Sequence, residues 1–179
     1  MPDQEKKYKI RILKNGPYLV SGGVRLAEKV IVPVGKAYEF KEGHELPQAE
    51  VYALCRCGKS KNMPFCDGTH EASGWDGTEI ASRASYHERA DHIEGPDLDL
   101  LDDDRCAFAR FCHREEGNVW QLTEESDDPK LREEAIKAAC DCPSGRLVVL
   151  DKEGNLIEPE LEPAIELIQD PEKGVSSGI

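Results

Sequence analysis

The chain has 179 residues, of which 39% are hydrophobic, 6% aromatic and 33% charged, with a formal net charge of -13 at pH 7. No run approaches the roughly 18 consecutive apolar residues of a membrane-spanning helix, and residues 1–7 lack the apolar stretch of a secretory signal. The acidic balance repels phosphate, so the expectation is a cytoplasmic chain with neither membrane nor nucleic acid as partner.

In chain order, Ile10 and Ile12 alternate with charges, and Asn15-Gly16-Pro17 makes a turn before Tyr18-Leu19-Val20. Residues 30–34, 37–40 and 51–54 are further strand candidates, and Gly22-Gly23 breaks the run before them. Charge divides the chain: residues 1–82 carry 12 basic and 11 acidic side chains, residues 83–179 carry 11 and 25. That step argues for two modules, with residues 83–105 an acidic connector. A helix is predicted from Pro129: Asp128 is a good N-cap, proline suits the first helical position, and Leu131, Ala135 and Ala139 share a face. Pro143 prevents its continuation, and residues 147–150 read as a strand. Finally, residues 10–15 align without gaps on 165–170, and 20–24 on 175–179, so residues 161–179 are expected to open a second copy of the first module.

A small, aromatic-poor core often needs a metal or covalent staple, and in a reducing compartment clustered cysteines read as metal ligands before disulfides. Residues 55–70 hold three thiols and an imidazole, Cys55, Cys57, Cys66 and His70, among glycines that let the backbone wrap closely. Cys66 and His70 are four apart, and a helical turn capped by Asp67 projects both from one face. A two-iron centre needs two protein ligands per iron, which the pairs Cys55/Cys57 and Cys66/His70 supply. Structural zinc also takes three Cys and one His, although zinc knuckles favour C-x2-C.

With Ser60, Pro64, Gly68 and Thr69 in place, the segment fills C-x-C-x2-[ST]-x3-P-x-C-D-G-[SAT]-H and resembles the CDGSH iron–sulfur (NEET-type) family over about residues 8–75. The resemblance implies a [2Fe-2S] cluster on Cys55, Cys57, Cys66 and His70, with His70 the exposed ligand, in a homodimer or a tandem pair. Arg56, Lys59 and Lys61 stand as candidates to offset cluster charge.

Four cysteines remain: Cys106, Cys112, Cys140 and Cys142, spaced C-x5-C, then C-x-C followed by Pro143. A Cys-Pro pair before a strand is how ferredoxins place a last ligand. Residues 97–150 look like the divergent single-cluster ferredoxin domain that accompanies CDGSH motifs in some bacterial proteins. The resemblance carries over to Cys106, Cys112 and Cys142, with Cys140 the natural fourth and His113 the fallback. The cluster type stays open between [4Fe-4S] and [3Fe-4S], with zinc or an empty site as alternatives.

His44, His87 and His92 read as surface side chains, and Trp75, Trp120, Phe108 and Phe111 as core pieces shielding the clusters. No Walker loop, dinucleotide fingerprint or nucleophile elbow is present, so no catalysis on a small substrate is expected. The expected fold is α+β: a β-rich CDGSH-type domain (1–82), the connector, a ferredoxin-like insert with one clear helix (106–160), and the beginning of a second module. The expected function is electron transfer to a redox partner with a basic face. Cluster storage or transfer, redox or iron sensing, and a zinc-stabilised interaction module are the competitors.

Overall fold

The computed structural model describes residues 8–173 and has an α+β fold made of two compact units, each discontinuous in sequence. Among the described residues the first comprises 8–30, 42–81 and 162–173, the second 31–41 and 82–161.

The first unit begins with β1 (Lys9–Ile12) and β2 (Tyr18–Ser21), joined by the turn at Asn15-Gly16. β2 is central in the antiparallel order β1-β2-β5, where β5 is Val51–Leu54. Its period-2 pattern turns Val20 into a core of Val24, Leu26, Tyr52 and Leu54, and the Tyr52 hydroxyl finds the Val24 carbonyl at 2.9 Å. β3 (Arg25–Val34) and β4 (Ala37–Glu42) form a hairpin, and β10 (Ala164–Gln169) joins the other edge of β3 in parallel, Ile165 opposite Leu26. Residues 164–170 therefore extend the first unit's own sheet, where the repeat leads one to expect a new module. Hydrophobic pairing decides this, because Ile165 packs on the Val20–Leu54 core. The second half of the repeat, residues 175–179, lies outside the described residues.

The second unit is a four-stranded antiparallel sheet, β6-β7-β8-β9, with helices packed on it. β6 (Asp91–Glu94) and β7 (Asp99–Asp102) lie within the expected connector. Acidic composition concealed a strand whose Leu100 and Leu101 are buried, as is Leu98 just before it, and a short helix α2 (Tyr86–Arg89) with a Ser85/Glu88 capping box precedes both strands. β8 (Leu147–Leu150) pairs with β7, Leu100 opposite Val149, and β9 (Leu156–Ile157) closes the edge. The helix expected at Pro129 is α4 (Pro129–Cys140), with Asp128 accepting from the Lys130 and Leu131 amides. It is not alone: α3 (Val119–Glu124) carries an Asn118/Gln121 capping box. Val119, Leu122, Ala135, Ala138 and Ala139 meet Leu98, Leu100, Leu147 and Val149 in one core. Among the described residues no helix is long and apolar enough to cross a membrane.

Candidate metal centres

The first constellation is placed by strand pairing. Leu54, the last residue of β5, bridges to Phe65, while the Cys55 amide donates to the Pro64 carbonyl at 2.7 Å and the Cys66 amide to the Ala53 carbonyl at 2.9 Å. Residues 55–64 are thus a loop clamped at its neck, with Cys55 and Cys66 flanking the clamp. Gly58 takes φ +71, a left-handed turn with open space around its missing Cβ, so the requirement there is conformational. Asp67 ties two segments together, one carboxylate oxygen accepting from the Lys61 amide at 2.8 Å and the other from the Thr69 amide at 3.0 Å. The chain then turns at Gly68 (φ +86) into α1 (Thr69–Ala72), which delivers His70.

The four donors lie in two pairs. Cys55 Sγ and Cys57 Sγ are 3.7 Å apart, and Cys66 Sγ lies 3.4 Å from His70 Nδ1. Metal–sulfur bonds of about 2.3 Å meeting at a tetrahedral angle separate two sulfurs by about 3.8 Å, and a sulfur and an imidazole nitrogen by about 3.6 Å. Both pairs have the bite of a chelate. Burial pushes the Cys55 thiol pKa up, but hydrogen bonds from the Ser60, Gly58 and Lys59 amides and the Cys57 side chain outweigh it, so the net shift is down, toward the thiolate that binds metal. His70 is less open than its expected role as the exposed ligand: its side chain is 12% exposed, with Nε2 4.0 Å from Glu71 Oε1.

Arg56, between the paired cysteines, points its charge away from them. Its guanidinium donates to the carbonyls of Leu13, Gly16 and Gly77 and stands over the rings of Trp75 and Tyr18, at 5.0 and 5.8 Å. It pins the loop to two distant turns, an anchoring role that the sequence reading missed. Trp75 serves that anchor. Lys59 and Lys61 are exposed.

The second constellation divides three to one. Cys106, Cys112 and Cys142 line one small cavity of about 20 Å³, together with Phe111, Ser144 and Arg146. Burial, then the neighbouring Cys106 and Cys142 thiols, push the Cys112 pKa up. Cys140 does not line that cavity, and shares a neighbouring one with Cys142. It occupies the last position of α4, with Sγ 3.6 Å from the Ile157 carbonyl, and its pKa is raised by burial and by Asp141 and Glu158. Helix geometry explains the split: Cys142 lies past the helix end, where its amide turns back to the Ala139 carbonyl and Gly145 takes φ +61. His113 does not replace Cys140, since it lines a separate cavity with Lys36 and Asn118.

The remaining expectations divide. Phe111 is buried and stacks on Phe40 at 4.3 Å, while Phe108 is 68% exposed at φ +57, its amide donating to Cys106 Sγ at 3.2 Å. Trp120 is half-buried, its ring nitrogen donating to Asp102 at 3.1 Å. His44 and His92 sit at the surface with carboxylate partners, Glu28 at 2.7 Å and Asp99 at 3.1 Å, and the His87 ring packs edge-on to Tyr86.

Two segments of the chain match known family models. Residues 15–71 match the family model "Iron-binding zinc finger CDGSH type", and residues 93–152 match "Divergent 4Fe-4S mono-cluster". The chain is accordingly an iron–sulfur protein that joins a CDGSH-type segment, the kind that binds a [2Fe-2S] cluster, to a divergent mono-cluster segment that points to a second cluster. A stretch of 26 residues is 58% identical to the mouse CDGSH iron-sulfur domain-containing protein 3, mitochondrial; it covers 14% of this chain and 19% of that relative, so the chain spans about a fifth of the relative's length. No solved structure matches.

Proposed function

We propose that the chain carries electrons one at a time between partner proteins and catalyses no reaction on a small substrate. Cys55 and Cys57 would hold one iron of the [2Fe-2S] cluster, Cys66 and His70 the other, and Cys106, Cys112 and Cys142 the second cluster. When bound, the clusters supply reversible one-electron oxidation and reduction. The observation that carries this reading is the pair geometry, two donor pairs at 3.7 and 3.4 Å held at the neck of a backbone-clamped loop.

His70 sets the character of the first site. A neutral imidazole in place of a thiolate leaves less negative charge on the donor set, which raises the reduction potential. Metal binding to an imidazole displaces a proton from the same nitrogen, so acid opposes it. The 25 acidic side chains of residues 83–179 favour a partner with a basic face. Pairing of two CDGSH-type modules, as a homodimer or in tandem, and residence in the cytoplasm, which keeps seven free thiols reduced, complete the proposal.

The test is His70→Cys in anaerobically purified protein. The expected result is a lower potential and slower loss of visible absorbance at acid pH; no change in either rejects His70 as a donor. Iron, zinc and acid-labile sulfide per chain separate this reading from the zinc module, and a preparation without sulfide overturns it. Rapid cluster loss to an apo-ferredoxin would instead favour the storage and transfer reading.

A further inference from the structure

Next to the three-thiol cavity lies a charge arrangement that neither family match assigns. Arg146 follows the Cys142-Pro143-Ser144-Gly145 turn and lines the same cavity as Cys106, Cys112 and Cys142. Its guanidinium is fixed from several sides. Nε and Nη2 donate to the two oxygens of Asp102 at 2.5 and 2.7 Å, Nη2 also reaches Asp104 at 3.1 Å, and the group stands over the Trp120 ring at 5.4 Å. Asp102 is held in turn by the Trp120 ring nitrogen at 3.1 Å and by the Asp104 amide at 3.0 Å. The Arg146 carbonyl accepts from the Tyr86 hydroxyl at 2.8 Å. Both charged side chains are largely withdrawn from water, Arg146 at 17% exposure and Asp102 at 9%.

We propose that Arg146, aimed by Asp102, is a positioning residue that sets the charge, and through it the reduction potential, of the second site. This rests on the reading that Cys106, Cys112 and Cys142 hold a cluster. The physics is direct: reduction adds a negative charge among thiolates, and a fixed cation on the cavity wall favours the reduced state, more strongly where little water screens it. Asp102 partly cancels that cation while fixing its orientation. The planar fork matters because it engages both Asp102 oxygens and stacks on Trp120 at once, which an ammonium does not do. The bonds to Asp102, and after them Cys106, favour the charged form of Arg146.

A salt bridge that merely held the fold would be harmed alike by loss of either partner, whereas a charge-setting pair responds with opposite signs. The experiment compares the full chain with Arg146→Met, Arg146→Lys and Asp102→Asn by redox titration under EPR, with the first cluster as internal reference and iron and sulfide counted per chain. Arg146→Met is expected to lower the potential of the second cluster, Asp102→Asn to raise it, and Arg146→Lys to lie between wild type and Arg146→Met, while the first cluster stays put. Loss of the second cluster from Arg146→Met, with a raised potential in Asp102→Asn, also supports the proposal. Shifts of the same sign, no shift, or loss of the second cluster from both variants overturn it. Iron and sulfide sufficient for only one cluster in the wild-type chain would instead remove the second cluster itself, a distinct failure.

Discussion

Asp67 shows how one exposed side chain can hold a metal loop. Its carboxylate accepts from the Lys61 and Thr69 amides, and these bonds depress its pKa to about 2 from the ordinary 3.8. The sign follows from the direction: a carboxyl with a lowered folded pKa contributes its full share above its unfolded value and loses it only as pH falls toward about 2. The Asp67 clamp is therefore intact at pH 5. The pH dependence of acid-driven cluster loss is thus expected to keep its midpoint in Asp67→Asn, with the rate raised at every pH. Stopped-flow absorbance against pH checks this, and a shifted midpoint would make Asp67 the titrating group. Tyr86 is the converse case, pushed up to about 12 by burial and then by Asp103 and Asp102, so it stays a donor to the Arg146 and Leu101 carbonyls at any physiological pH.

At the scale of elements, the helix–sheet layer of the second unit depends on a few contacts. Asp128→Ala removes the acceptor for two first-turn amides of α4 and is expected to cost about 1 kcal/mol. Leu100→Ala opens a cavity at a fully buried β7 position and is expected to cost about 2–5 kcal/mol. Denaturant unfolding of both variants, with the first cluster's absorbance followed separately, checks the ranking. Elements with local signals were legible: the Asp128-Pro129 start of α4, the alternation in β1 and β2, and the apolar runs of β5 and β8. α3 had a local signal too, Asn118 with Gln121, but its six residues are too few for a helical period to show. β7 was hidden because its apolar residues are interleaved with aspartates whose partners, such as Arg146 and Lys152, lie more than forty residues away. The first site was legible down to its pairing, since its spacing is local. The separation of Cys140 from the other three thiols was not, because it turns on where a helix ends. Arg56 and Arg146 were missed as anchors for the same reason: their partners are backbone carbonyls and carboxylates remote in sequence.

For the whole molecule, the acidic excess belongs almost entirely to residues 83–179. Screening over a Debye length of about 10 Å at 0.1 M salt makes encounter with a basic partner sensitive to ionic strength. Electron delivery to a cationic acceptor protein is expected to slow as salt rises from about 0.05 to 0.5 M, while reduction by a small neutral mediator stays constant. Equal salt dependence with both would remove the acidic surface from partner recognition.

The parallel strand at residues 164–169 carries a consequence for biosynthesis. β3 leaves the ribosome more than a hundred residues before β10, so one margin of that sheet stays unfilled while the entire second unit is translated. The cysteine loop that follows β5 is thus complete in sequence before the strand that fills this margin is made.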